Sequence, residues 1–150
     1  MNKRSTTPLA KATRKADALW QEIVCMRGRC LLCGRTAPIC GHHIKGKKAR
    51  PDLRHSLFNG VCVCWGVGGC HEWLHALGQD TADAMLRALC DDEQFALLDE
   101  SRYEPSMGMA CLMEARCEEL GKVKRAIIEG NRIGSSSPAR IAELMQEAVE

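Results

Sequence analysis

Between residues 30 and 75 the chain reads Cys30-Leu-Leu-Cys33, then His42-His43-Ile44, then Asn59-Gly60, then Cys70-His71-Glu-Trp-Leu-His75. Two metal sites can be drawn from these residues, one of sulfur and one of imidazole. Cys30, Cys33, Cys64 and Cys70 would form a structural zinc knuckle. Two residues between the first pair let both thiolates reach one ion while backbone N–H groups point at sulfur. The second pair is separated by Trp-Gly-Val-Gly-Gly, whose glycines let so long a turn fold back. Cys62 competes with Cys64 for this place, and Cys40 does so more weakly. His71 and His75 stand four apart on an expected helix and share a face. His42 and His43 are neighbours on an expected strand and point to opposite sides. One of them can therefore ligate with His71 and His75 while the other acts as a base near pH 7. An open imidazole site beside an unligated histidine is equipped to hydrolyse a phosphodiester, because a metal neutralises charge developing on phosphate oxygens. His71-Glu72-Trp73-Leu74-His75 also matches the zinc-protease pattern with Glu72 as base, but that reading leaves Cys-x-x-Cys and His-His without a role.

The elements that must position these residues follow from hydrophobic spacing. Ala16, Leu19, Trp20, Ile23 and Val24 recur at helical intervals, which predicts a helix over 12–25 ending near Gly28. Residues 29–40 suit a tight knuckle and a short hairpin. A first strand is expected at 42–44, a basic loop over 45–54 and a second strand at 61–63. A glycine-rich turn then leads to a helix over 70–77. Further helices are expected over 81–90, from an Asp91 or Asp92 cap to about Leu98, and along Met109, Leu112, Met113, Leu120, Val123 and Ile127. Residues 130–137 read as a linker, and Ser137-Pro138 as the start of a last helix. The methionine-rich stripe at 107–113 reads as core. So do Cys25, Cys90, Cys111 and Cys117, as small buried hydrophobes. The expected organisation is a mobile basic start over 1–11, a core over 12–80 and a helical extension over 81–150.

Composition narrows the class. A chain of 150 residues builds one modest domain, and with few aromatic residues it needs another source of compactness, which bound metal supplies. Ten cysteines are many. The opening Met-Asn-Lys-Arg-Ser-Thr-Thr-Pro has no apolar secretory core, and no run of residues is apolar enough to span a membrane. The expectation is a cytoplasmic protein whose cysteines bind metal rather than form disulfides. The net charge of +2 conceals a polarity. Residues 1–55 carry thirteen Lys/Arg against three Asp/Glu, a net +10, while the remainder carries eight against sixteen, a net −8. Such a division predicts one face for a polyanion. Lys45, Lys47, Lys48, Arg50 and Arg54 are placed to hold backbone phosphates of DNA. His55 falls outside the pattern and is expected to touch phosphate or solvent.

Cys-x-x-Cys, His-His-Ile, Asn-Gly and Cys-His-x-x-x-His together resemble the motif of HNH endonucleases. With an amphipathic Trp helix before an Arg-Gly-x-Cys knuckle, the pattern over residues 15–78 is similar to small phage- and prophage-encoded members. The resemblance implies an α+β fold: a ββα-metal, or His-Me finger, core with a zinc knuckle, one helix before it and a helical tail after. It implies His43 as general base, with Asn59 bracing the loop between the strands and helping to orient His43. It implies a catalytic divalent metal (Mn, Ni, Co or Mg) on His42, His71 and His75, and structural zinc on Cys30, Cys33, Cys64 and Cys70. DNA is the implied partner, entered by the ββα helix through the minor groove, and a homodimer or other DNA-processing proteins are compatible with it. The long turn 65–69 departs from the family pattern. A zinc-knuckle DNA-binding module without catalysis is the alternative.

Overall fold

In a computed structural model, residues 7–103 and 110–132 are described. The fold is α+β: helices around one two-stranded antiparallel sheet. The order is α1 (Pro8–Cys25), β1 (Ile39–His43), β2 (Gly60–Cys64), α2 (Cys70–Leu77), α3 (Gln79–Leu89), α4 (Asp92–Glu100) and α5 (Ala110–Arg132). Two single turns of 3-10 helix, Pro51–Leu53 and Leu57–Asn59, shape the link between the strands. No helix among the described residues is long and apolar enough to cross a membrane.

α1 begins earlier than expected. Pro8 takes the first helical position, where its missing N–H costs nothing, and the Thr7 hydroxyl accepts from Ala10 N–H at 3.3 Å. Residues 8–11 are thus helical, whereas residues 1–6 of the expected mobile start lie outside the described residues. The strands each exceed the expected segments, with β1 shifted toward the N-terminus, and α2 coincides with its expected span. The proposed last helix from Ser137 also lies outside the described residues.

The described residues divide into two compact units, and α1 contributes to both. One unit combines the start of α1, up to Leu19, with α5. Its buried side chains include Ala12, Ala16, Cys117, Leu120, Val123 and Ile127, and the Cys117 thiol donates to Ala12 C=O at 3.4 Å. Leu112 and Cys111 are exposed, so the expected apolar stripe covers only the later turns of α5. The other unit starts at Trp20 and includes the sheet and α2–α4. The expected boundary at residue 80 does not separate compact units. Ala82, Leu86, Phe95 and Leu98 belong to the same buried cluster as Val61, Val63 and Leu74, because α3 and α4 each bury an apolar stripe. Gln94 of α4 is buried as well, and its amide donates to Phe58 C=O at 2.8 Å and Gly60 C=O at 3.1 Å.

The sheet is short but closely packed on both faces. Register pairs Ile39 with Cys64, Gly41 with Cys62 and His43 with Gly60 on one face, and Cys40 with Val63 and His42 with Val61 on the other. Trp20 lies on the first face. A Cβ on Gly41 or Gly60 would come within 2.8 Å of its ring, so glycine is required where the indole crosses the strands.

Candidate metal centres

Four cysteines converge. The sulfurs of Cys30, Cys33, Cys64 and Cys70 all lie within 4.8 Å of one another, and Cys33 and Cys64 sulfurs are 3.6 Å apart. Four thiolates around zinc at about 2.3 Å would be separated by about 3.8 Å, so the set fits a tetrahedral ion with little adjustment. The turn 65–69 makes this convergence possible. Gly66 and Gly68 adopt φ of +103° and +70°, and a Cβ on Gly69 would sit 2.8 Å from the Trp65 carbonyl carbon. The chain thereby doubles back until Cys70 N–H donates to the Cys64 sulfur at 3.3 Å. At Cys30, burial pushes the thiol pKa up, but backbone N–H groups of Cys33, Cys64 and Leu32 aimed at its sulfur prevail and bring it down to about 6. Cys70 is pushed up, first by burial and then by the neighbouring cysteines.

The competitors stand elsewhere. Cys62 shares a sheet face with Cys64 but meets Cys25 at the end of α1. Burial, then Cys25, raises its pKa to about 12. Cys40 lies on the opposite face, where burial raises it to about 11.

Three histidines make the second cluster. One nitrogen from each of His42, His71 and His75 lies within 4.8 Å of the others. Their rings meet edge-on, with centroids 4.7 to 5.2 Å apart. His42 Nδ1 is the sole buried side-chain nitrogen or oxygen without a hydrogen-bond partner among the described residues. Such an atom is costly unless something binds it. Burial lowers the His42 pKa to about 4, assisted by His71, His75 and His43 and opposed by Asp83. His71 is also lowered, by burial, His75 and the Lys47 ammonium. One nitrogen from each of three converging rings, one of them buried and without a partner, fits a divalent metal such as zinc.

His43 points the other way, as alternation requires. It stacks on Trp20 with centroids 3.9 Å apart and planes 11° from parallel. Its Nε2 is 2.7 Å from Arg54 C=O. A carbonyl only accepts, so Nε2 carries the hydrogen and a neutral ring bears its lone pair on Nδ1. Trp20 N–H in turn donates to Ser56 C=O at 3.0 Å, tying the indole to the same loop. Asn59, fully buried, acts on the loop. Its carboxamide accepts from Lys45 N–H at 2.7 Å and donates to the carbonyls of Lys45 and Leu53 at 3.0 and 3.1 Å. The carbonyl that engages His43 belongs to Arg54, the residue after Leu53.

The five basic residues of the loop are not equivalent. Lys45 pairs with Asp83 of α3, whose other oxygen accepts from Gln79 at 2.6 Å. Gln79 also donates to Ile44 C=O at 2.7 Å. Arg50 makes three short bonds to Asp52, the closest at 2.7 Å, and reaches Ser101 Oγ at 3.1 Å. Lys47 and Lys48 are exposed, and Lys47 is the one whose charge bears on His71. His55 is buried, which removes it from phosphate or solvent. Sequence reasoning missed Asp83, Gln79 and the Arg54 carbonyl. A helical Asp or Gln carries no mark of its remote partner, and a carbonyl is present at every residue.

Compared with family models, with curated proteins and with solved structures, the chain matches none.

Proposed function

We propose that the unit holding the sheet is a metal-dependent endonuclease with a ββα-metal core of HNH type, hydrolysing phosphodiester bonds of DNA. The observation that carries this reading is the division of two adjacent histidines. His42 joins His71 and His75 with a buried, unpartnered Nδ1, while His43 is held apart by Trp20 and Arg54. His42, His71 and His75 would hold a divalent metal, which would supply positive charge to a phosphate oxygen. His43 is oriented for proton transfer. With Nε2–H given to Arg54 C=O, Nδ1 takes a proton from water as the water oxygen bonds to phosphorus. The P–O bond to the leaving sugar oxygen breaks, that oxygen takes a proton from solvent, and the resulting imidazolium keeps its bond to the carbonyl. Stacking on Trp20 fixes the ring plane during that transfer. Lys47 and Lys48 supply phosphate contacts, while Lys45 and Arg50 begin from carboxylate partners. Three imidazoles favour Mn²⁺, Ni²⁺ or Co²⁺ over Mg²⁺, which prefers oxygen. The four cysteines hold structural zinc. The protease reading is disfavoured because Glu72 is exposed and accepts from Gly68 N–H at 3.4 Å, within the turn.

The test is nicking of supercoiled plasmid by the full chain with each divalent metal. His43→Ala should lower the cleavage rate by about 10²- to 10⁴-fold, with zinc content and DNA affinity kept. A variant that cleaves within tenfold of the parent removes His43 from the role of base.

A further inference from the structure

The turn 65–69 does more than close the sulfur cluster. It carries two apolar side chains into solvent: Val67 is fully exposed at 105% and Trp65 is 53% exposed. Exposed apolar residues are ordinary when single, but these two occupy one five-residue turn that is otherwise glycine. The turn is not loose. Gly69 N–H donates to Gly66 C=O at 2.9 Å and Trp65 N–H to Pro38 C=O at 3.1 Å, and Glu72 holds Gly68. A fixed backbone thus presents an apolar tip.

Its place along the chain decides what it meets. Val67 precedes His71 by four residues, and four residues of backbone span at most about 14 Å. That distance corresponds to about four base steps of 3.4 Å along a strand. A nucleic acid whose phosphate sits at the imidazole cluster therefore has bases, within about four steps, that can reach the tip. The Lys47 ammonium, whose charge is felt at His71, and the exposed Lys48 make the surroundings favourable to a polyanion. Apolar side chains projecting into a groove beside basic groups serve as wedges that part adjacent base pairs.

We infer that Val67, backed by Trp65, is a wedge that opens a base step of duplex DNA close to the scissile phosphate. The inference rests on the nuclease reading and names its substrate class: duplex containing a step that opens easily, such as a pyrimidine–purine step, a mismatch or a bulge. Uniformly stacked duplex is the poorer substrate, because the wedge must first separate its bases.

The experiment uses the full chain, zinc-loaded, with His43→Ala to silence cleavage. It is titrated onto duplexes carrying 2-aminopurine at successive positions beside a mismatch. Emission should rise severalfold at one or two adjacent positions. Val67→Ser, and separately Trp65→Ser, should return it to the level of free duplex, with zinc content unchanged and affinity for mismatch-free duplex altered less than about twofold. With His43 intact, the same substitutions should erase the preference for mismatched over matched duplex. Unchanged emission and unchanged preference in both variants overturn the wedge and leave the exposed tip to a protein partner. Emission that rises without cleavage by any metal-loaded parent protein sinks the nuclease reading alone. Cleavage without any rise in emission sinks the wedge alone.

Discussion

The sulfur and imidazole clusters are both anchored on the sheet and α2, yet they differ in what they need to receive a metal. The sulfur cluster offers four ligands, enough to complete a tetrahedron, and at least one of them, Cys70, holds its proton firmly. The imidazole cluster offers three, and burial keeps His42 neutral well below pH 7. A site that is complete and must shed protons belongs to folding. A three-ligand site leaves a coordination position open to substrate or water. The same eight-residue helix serves both, with Cys70 on its core side and His71 and His75 on the next.

The contrast is most easily broken at Cys64. Cys64→Ser should abolish zinc at the sulfur site and unfold the sheet unit, since structural zinc contributes about 10–16 kcal/mol in small zinc domains, as much as a domain's whole stability. Cys62→Ala, two residues earlier on the same face, should keep its zinc and lose only about 1–2 kcal/mol. Zinc content and thermal melts of the two variants decide the matter. A Cys62 variant that sheds zinc would reverse the assignment.

Asn59 tests the other cluster. Asn59→Ala strands three backbone groups, that of Leu53 buried and the two of Lys45 part-buried, the buried one at about 1–3 kcal/mol. A net loss of about 3 kcal/mol in urea unfolding is expected, with zinc retained at the sulfur site and cleavage reduced through displacement of the Arg54 carbonyl. If full cleavage survives at that loss of stability, loop bracing does not orient His43.

The smallest effect is also the most specific. At pH 7 zinc uptake by the sulfur cluster must release the Cys70 proton, because the Cys70 pKa is raised. As a ligand His42 would release none, because its pKa of about 4 leaves it neutral. Calorimetry of metal binding in two buffers of different ionisation enthalpy counts the protons. Zinc binding to the metal-free chain should release protons, whereas a second divalent metal added to the zinc-loaded chain should release fewer. Equal proton release in the two steps would erase the distinction.

Much of this contrast was legible in the sequence, because ligands carry their chemistry in their residue type and their geometry in their spacing. Cys-x-x-Cys, the glycine-rich turn and His-x-x-x-His led to the two clusters, and the adjacent histidines parted across β1 as alternation requires. What was not legible depends on remote partners. Charge alone made Lys45 and Arg50 look available, but Asp83 lies 38 residues from Lys45, and the bond to Ser101 spans 51 residues from Arg50. The place of α3 and α4 beside the sheet was hidden for the same reason. Their apolar stripes say that they bury a face, not against what. The start of α1 was readable in Thr7-Pro8 and was obscured by the basic residues around it.

The pairing of His43 with Gly60 and of His42 with Val61 has a further consequence for tolerance to insertion and deletion. Side chains on a strand alternate strictly, so losing one residue between Pro38 and His42 while the hairpin keeps its alignment would carry His43 into the slot of His42. Ile44 would then face Trp20, and no ring nitrogen would stand against the Arg54 carbonyl. The slot beside His71 and His75 would keep an imidazole while the proposed base was lost, through a change that alters neither histidine. Point substitution can probe these two residues one at a time, but such a deletion moves both, His42 into the slot of Gly41 against Trp20 and His43 into the slot of His42, so length between Pro38 and His43 is constrained more tightly than sequence.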